Sequence, residues 1–143
     1  MKEIKFRAWD KKKNTWLNMD KYAINPDGGL GLLYCGDQDF IIEDSVEAEL
    51  VQYTGIKDKF GLDIYEGDIV KNSFDEDEIG VVMFGDYMAG GRDYYAQDAY
   101  GFYLQRYRDG KILSEDDTYP LGVWSEVIGN VYENKELLNN KDK

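Results

Sequence analysis

Gln52-Tyr-Thr-Gly-Ile-Lys-Asp-Lys-Phe-Gly-Leu-Asp-Ile-Tyr-Glu-Gly-Asp-Ile-Val70 decides the fold. Two apolar runs flank the turn signal Lys57-Asp-Lys-Phe-Gly61, and Gly67-Asp68 introduces another strand, Ile69-Val-Lys71. Nothing in the stretch resembles a catalytic motif. It reads as two consecutive strand-to-strand connections in an antiparallel sheet.

The next segments extend this pattern. An acidic connection, residues 71–78, leads into Ile79-Gly-Val-Val-Met-Phe84, a run of strong β propensity. The pair resembles the opening hairpin of an SH3-like barrel, with Gly67 giving a sharp bend and Gly80 a close backbone approach or a bulge. Residues 100–108 alternate as a long strand, Asp109-Gly110 turns into Lys111-Ile-Leu113, and Val127 to Tyr132 supply a last strand. Asn134 is placed to cap a short C-terminal helix, Lys135 to Asn139, before a polar tail.

Towards the N-terminus, Ile4, Phe6 and Ala8 alternate with Lys5, Arg7 and Trp9, and Asp10-Lys-Lys-Lys-Asn14 turns the chain into Thr15-Trp-Leu17, a β-hairpin. Asn25-Pro-Asp-Gly-Gly29 is the strongest turn signal, followed by short strands at 30–34 and 40–42. Residues 43–49 read as either a helical turn or an irregular connection, and Leu50 to Thr54 as strand. The expected fold is mainly β, a small SH3-like antiparallel barrel with an N-terminal β-hairpin extension and a short C-terminal helix. Its parts are an extension over 1–45, a barrel core over 46–133, and a helix and tail over 134–143, together one compact domain.

Composition narrows the function. A chain of 143 residues buries roughly 68–70% of its extended surface, so it needs neither metal nor disulfide to fold. Hydrophobic residues make up 43% and aromatics 15%, which excludes a disordered chain. The net charge of −12 opposes direct binding to nucleic acid or anionic lipid. The apolar runs are too short for a signal peptide or a membrane span, and the single Cys35 fits a reducing compartment, so a cytoplasmic location is expected.

No catalytic, metal-ligating or cofactor-binding residue is assigned, and no cofactor is expected. With no histidine in the chain, the commonest general base and metal ligand are missing, and Cys35 has no imidazole to activate it. Asp75 to Glu78 and Glu115 to Asp117 lack calcium-loop spacing, and the glycines at 28, 29, 31, 85, 90 and 91 lack the following lysine and helix of a phosphate loop. The chain is read as a non-enzyme that acts by protein contact. The contact segment is Gly85 to Ala99, taken as a loop, with Tyr87, Met88, Arg92, Tyr94 and Tyr95 as candidate residues. A DNA-mimicking inhibitor of a DNA-processing enzyme is the alternative, and a carboxylate/Mg-dependent hydrolase a distant third.

Ile4-Lys-Phe-Arg-Ala-Trp-Asp10, the central Gln52 to Asp58 and Ile64 to Val70 motifs, and Val127-Ile-Gly-Asn-Val-Tyr-Glu-Asn134 resemble, in residues and spacing, the YopX-like proteins of bacteriophages and prophages. The resemblance implies a small, mainly β, phage-encoded protein with a barrel-like core, located in a bacterial cytoplasm and self-associating. It offers no catalytic residues to carry over. The residues point the same way: a small open barrel with an appended hairpin leaves unpaired strand edges, and Trp9, Trp16, Tyr94 and Tyr95 resist complete burial, so a homo-oligomer is expected with contacts at the N-terminal hairpin or the Gly85 to Ala99 loop. A host or phage protein partner is a further expectation.

Overall fold

The structure, a computed structural model, describes residues 3–24, 30–35, 40–45, 48–72, 79–89, 97–108, 111–112, 118–120 and 125–139. These form antiparallel strands joined by tight turns, with 3-10 turns at Met19–Lys21 and Lys135–Asn139 and no α-helix among the described residues. The chain divides into two compact units, Ile4–Gln52 and a second from Tyr53 onward.

In the first unit β1 (Phe6–Asp10) pairs with β2 (Thr15–Trp16) and with the first half of β6 (Ala48–Lys57), in the registers Trp9↔Trp16 and Arg7↔Val51. The lysine turn forms because the Asp10 carboxylate accepts from the Lys12 and Lys13 N–H groups at 2.9 and 3.1 Å while Asn14 takes positive φ and donates to the Asp10 carbonyl. A second sheet has the order β3 (Tyr22–Ile24), β4 (Leu30–Cys35), β5 (Phe40–Ser45). The Asn25 to Gly29 turn signal lies outside the described residues, but Ile24↔Leu30 registers the strands on either side. Strand β5 runs through Ser45 and β6 begins at Ala48, so residues 43–45 are strand rather than helical turn or irregular connection. Pairing with β4, in the registers Leu32↔Glu43 and Gly31↔Ser45, overrides their polar, helix-compatible composition.

The second unit holds β7 (Asp63–Tyr65), β8 (Asp68–Asn72), β9 (Ile79–Ala89), β10 (Gln97–Arg108), β11 (Lys111–Ile112), β12 (Thr118–Pro120) and β13 (Ser125–Asn130). Its main sheet, in the order β11-β10-β9-β8-β13 with β12 also on β10, curls as a half-barrel. Ile64, Val70 and Val82 are its buried centre, with Ile56, Phe102, Leu104 and Val127 packed against them. On the other side of the same strands Ile69 pairs with Val81, and both are buried. Adjacent buried residues on β8 and β9 explain why these runs read as continuously apolar rather than alternating.

Gly67 bends as expected. It has φ +85, its N–H donates to the Val82 carbonyl at 2.8 Å, and a Cβ there would sit 3.0 Å from the Tyr132 ring. The bulge considered at Gly80 is not there: pairing runs unbroken through Gly80 on both sides, and the register instead shifts in β13, between Val127 and Gly129. Asn134 opens the C-terminal 3-10 helix with its backbone carbonyl, which accepts from the Leu137 N–H at 3.0 Å, and not with its side chain. Its side chain accepts from the Asn130 N–H at 3.2 Å, turned back toward the strand, and residues Lys135–Asn139 form a single 3-10 segment. β13 stops at Asn130 because its Oδ1 captures the N–H groups of Tyr132 and Glu133, closing a turn.

Candidate contact surface

The buried side chains of Asp10, Asp58, Asp68 and Asn130 are engaged in structure. Asp58, 6% exposed, has Oδ1 accepting from the Phe60 and Leu62 N–H groups at 2.9 Å and Oδ2 accepting from the Val127 N–H at 3.1 Å. It thus shapes the Lys57–Gly61 turn and fastens it to β13, where the Lys59 N–H also donates to the Ser125 carbonyl. Burial pushes its carboxyl pKa up, but the backbone donors of Leu62, Val127 and Phe60, aided by nearby Lys59, outweigh that and hold it below the ordinary value. Asp10, Asp68 and Asn130 are likewise buried and likewise bonded to turn N–H groups. Among the described residues no three acidic or cysteine side chains gather as a metal site. The acidic loops at 75–78 and 115–117, on which metal binding or DNA mimicry would rest, lie outside the described residues.

Exposed apolar side chains gather elsewhere. The segment read as a loop from Gly85 to Ala99 is largely a two-stranded ribbon, because β9 continues to Ala89 and β10 begins at Gln97. Its glycines and polar residues suggested a loop, yet Gly85 and Gly101 face each other in register, both with φ near +150. Only glycine adopts that conformation readily, and two opposite each other bend both strands at once. The aromatics record the bend. Tyr87 registers with Ala99, four residues from Tyr103, roughly 13 Å along a flat strand, yet the Tyr87 and Tyr103 rings stack 5.2 Å apart at 20°.

Bending that closes one face opens the other, which carries Phe84, Tyr100 and Phe102. Phe84 meets Tyr100 edge-to-face at 5.2 Å and Phe102 at 4.8 Å. Phe102 packs on the core, whereas Phe84 is 44% and Tyr100 71% exposed, so the ladder climbs from the interior into solvent. Asp86, in register with Tyr100, and Asp98 are also exposed. A second exposed apolar feature, Phe60 and Leu62, sits on the turn that Asp58 holds.

Of the candidate contact residues, Tyr87 lies in this ribbon, half-buried under the Tyr103 stack, and Met88 is in β9 opposite Asp98. Arg92, Tyr94 and Tyr95 lie outside the described residues. Phe84 and Tyr100 were missed because the sequence places them inside strand runs, where aromatics normally mean core. The signal was the glycine following each of them. Trp9 differs from expectation in being buried, its ring 5.1 Å edge-to-face from Trp16, whereas Trp16 is only half-buried, with the Arg7 guanidinium 4.3 Å over it.

A family model described as YopX protein matches residues 5–139. Among solved structures the chain is similar to protein yopX from Bacillus subtilis, at 20% identity and a TM-score of 0.53, covering 99% of this chain and 100% of that one. It is also similar to a protein from Enterococcus faecalis, at 21% identity and a TM-score of 0.43, covering 96% of this chain and 99% of that one. At such identity the Bacillus likeness speaks to the fold alone. No curated protein matches.

Proposed function

Because the chain belongs to the YopX family, we propose a function that rests on its surface: it is a bacteriophage or prophage accessory protein that works in the bacterial cytoplasm by protein–protein contact and without catalysis. The observation that carries this reading is the exposed Phe84–Tyr100 ladder. Two large aromatics that keep much of their surface in solvent are poorly used as core, and aromatic area is what protein interfaces favour. The buried carboxylates support the same reading, being occupied with backbone N–H groups that define turns.

Self-association belongs to the proposal. The tryptophans of the N-terminal hairpin pack on one another, and the strand edge that supports the reading is β5, six residues at the margin of its sheet that offer backbone groups for strand addition. The contact reading is tested by affinity capture from bacterial lysate with the unaltered chain and with Phe84→Ser/Tyr100→Ser. A partner retained by the first and lost by the second supports the reading; identical capture by both overturns it.

A further inference from the structure

We infer that the open face of the β9–β10 ribbon, formed by Phe84, Tyr100, Asp86 and Asp98, is a docking site for an arginine- or lysine-bearing segment of a partner protein. This rests on the contact reading and adds the chemistry of the partner. Exposed aromatic faces attract any flat or apolar group, so the neighbouring charges decide which. In register, Asp86 stands opposite Tyr100 and Asp98 two residues further out on β10. Along the described parts of these two strands the basic residues, Arg106 and Arg108, lie at the far end of β10, and between the strands Arg92 and Asp93 cancel in the sequence.

The outer ribbon therefore offers aromatic faces beside two exposed carboxylates. A guanidinium or ammonium on an aliphatic stem satisfies both: the cation lies over a ring, the stem covers apolar area, and a carboxylate accepts its N–H groups. The chain uses this chemistry internally, with Arg7 over Trp16 at 4.3 Å and Lys59 over Phe60 at 5.0 Å. Other occupants are disfavoured by charge. Nucleic acid and anionic lipid are repelled, and so is a second copy of a chain carrying −12.

Fluorescence anisotropy tests this with a labelled Arg-Gly-Arg-Gly-Arg-Gly peptide and its citrulline counterpart, at 0.15 M salt. The arginine peptide should bind and the citrulline peptide should not. Phe84→Ala/Tyr100→Ala, which leaves net charge unchanged, should weaken binding about 5- to 10-fold, while Tyr100→Phe retains it. Asp86→Asn/Asp98→Asn should weaken binding more than Asp20→Asn/Glu136→Gln, a charge-matched control at exposed sites. All six positions are exposed, and thermal melts confirm that each variant folds.

The inference is overturned if the two charge variants lose affinity equally and the aromatic variant loses none, because net charge alone then explains binding. It is equally overturned if spermidine binds the same face as tightly as the peptide, since a free polyamine would then be the better ligand. Loss of peptide discrimination alongside a captured partner that still requires Phe84 and Tyr100 would refute the cationic ligand and leave the contact reading standing.

Discussion

Asp58 shows how a single carboxylate can hold a turn without taking part in chemistry. Three backbone donors converge on it, and their pull exceeds the cost of burial. Asp58→Asn keeps the shape and the bonds to Oδ1 but turns an NH2 group toward the Val127 N–H, leaving that donor unmet. Urea unfolding at pH 7 should show a loss of about 1–3 kcal/mol. A carboxyl held below its ordinary 3.8 contributes its stability in full above that value and loses it as pH falls through the folded-state pKa. The gap between wild type and variant should therefore narrow as pH drops below 3.8. The turn itself was legible, since Lys57-Asp-Lys-Phe-Gly61 carries its own signals. The partner of Asp58 was not, because Val127 lies 69 residues away and no local pattern links them.

At the scale of elements, the strands at 50–54, 69–71, 79–84 and 100–108 and the N-terminal hairpin could be read from composition, and the pairings of that hairpin and of β8 with β9 followed from the connections within them, whereas the pairing of β1 with the distant β6 did not. What escaped was how far β9 and β10 extend. Gly85 and Gly101, sixteen positions apart in the sequence, say nothing singly; only register places them opposite each other, where they bend a ribbon instead of ending it. Gly85→Ala/Gly101→Ala should force the ribbon out of the mirror-β conformation. Amide hydrogen exchange should then quicken in residues 86–89 and 97–100, while residues 80–82 and 104–106, anchored by Val82 and Leu104 in the core, keep their protection. Uniform acceleration across both strands would mean that the glycines support the whole sheet rather than a joint. The C-terminal helix falls at the expected residues, Lys135–Asn139, as a 3-10 segment, and only its side-chain cap differs. Asn134 has the composition of a cap, but its side chain accepts from the Asn130 N–H that ends β13.

Across the whole molecule, charge sets the conditions for contact. Self-association must bring together chains of −12, and β5 itself carries Glu43 and Asp44. Raising salt to ~0.5 M shortens screening to a few Å, so assembly should strengthen, whereas binding of a cationic segment at the ribbon should weaken. Light scattering should accordingly show masses rising from 16.6 kDa toward a defined multiple as salt and concentration increase; a constant 16.6 kDa at high concentration and ~0.5 M salt would remove self-association from the account. The opposite salt trends also keep the two contacts distinguishable in one preparation. The central claim, that the chain acts through the open aromatic face of β9–β10, is tested most directly by quantitative affinity capture from bacterial lysate with wild type and Phe84→Ser/Tyr100→Ser side by side, matched for melting temperature. The account predicts at least one protein enriched by wild type and lost with the variant; capture profiles that coincide would contradict it.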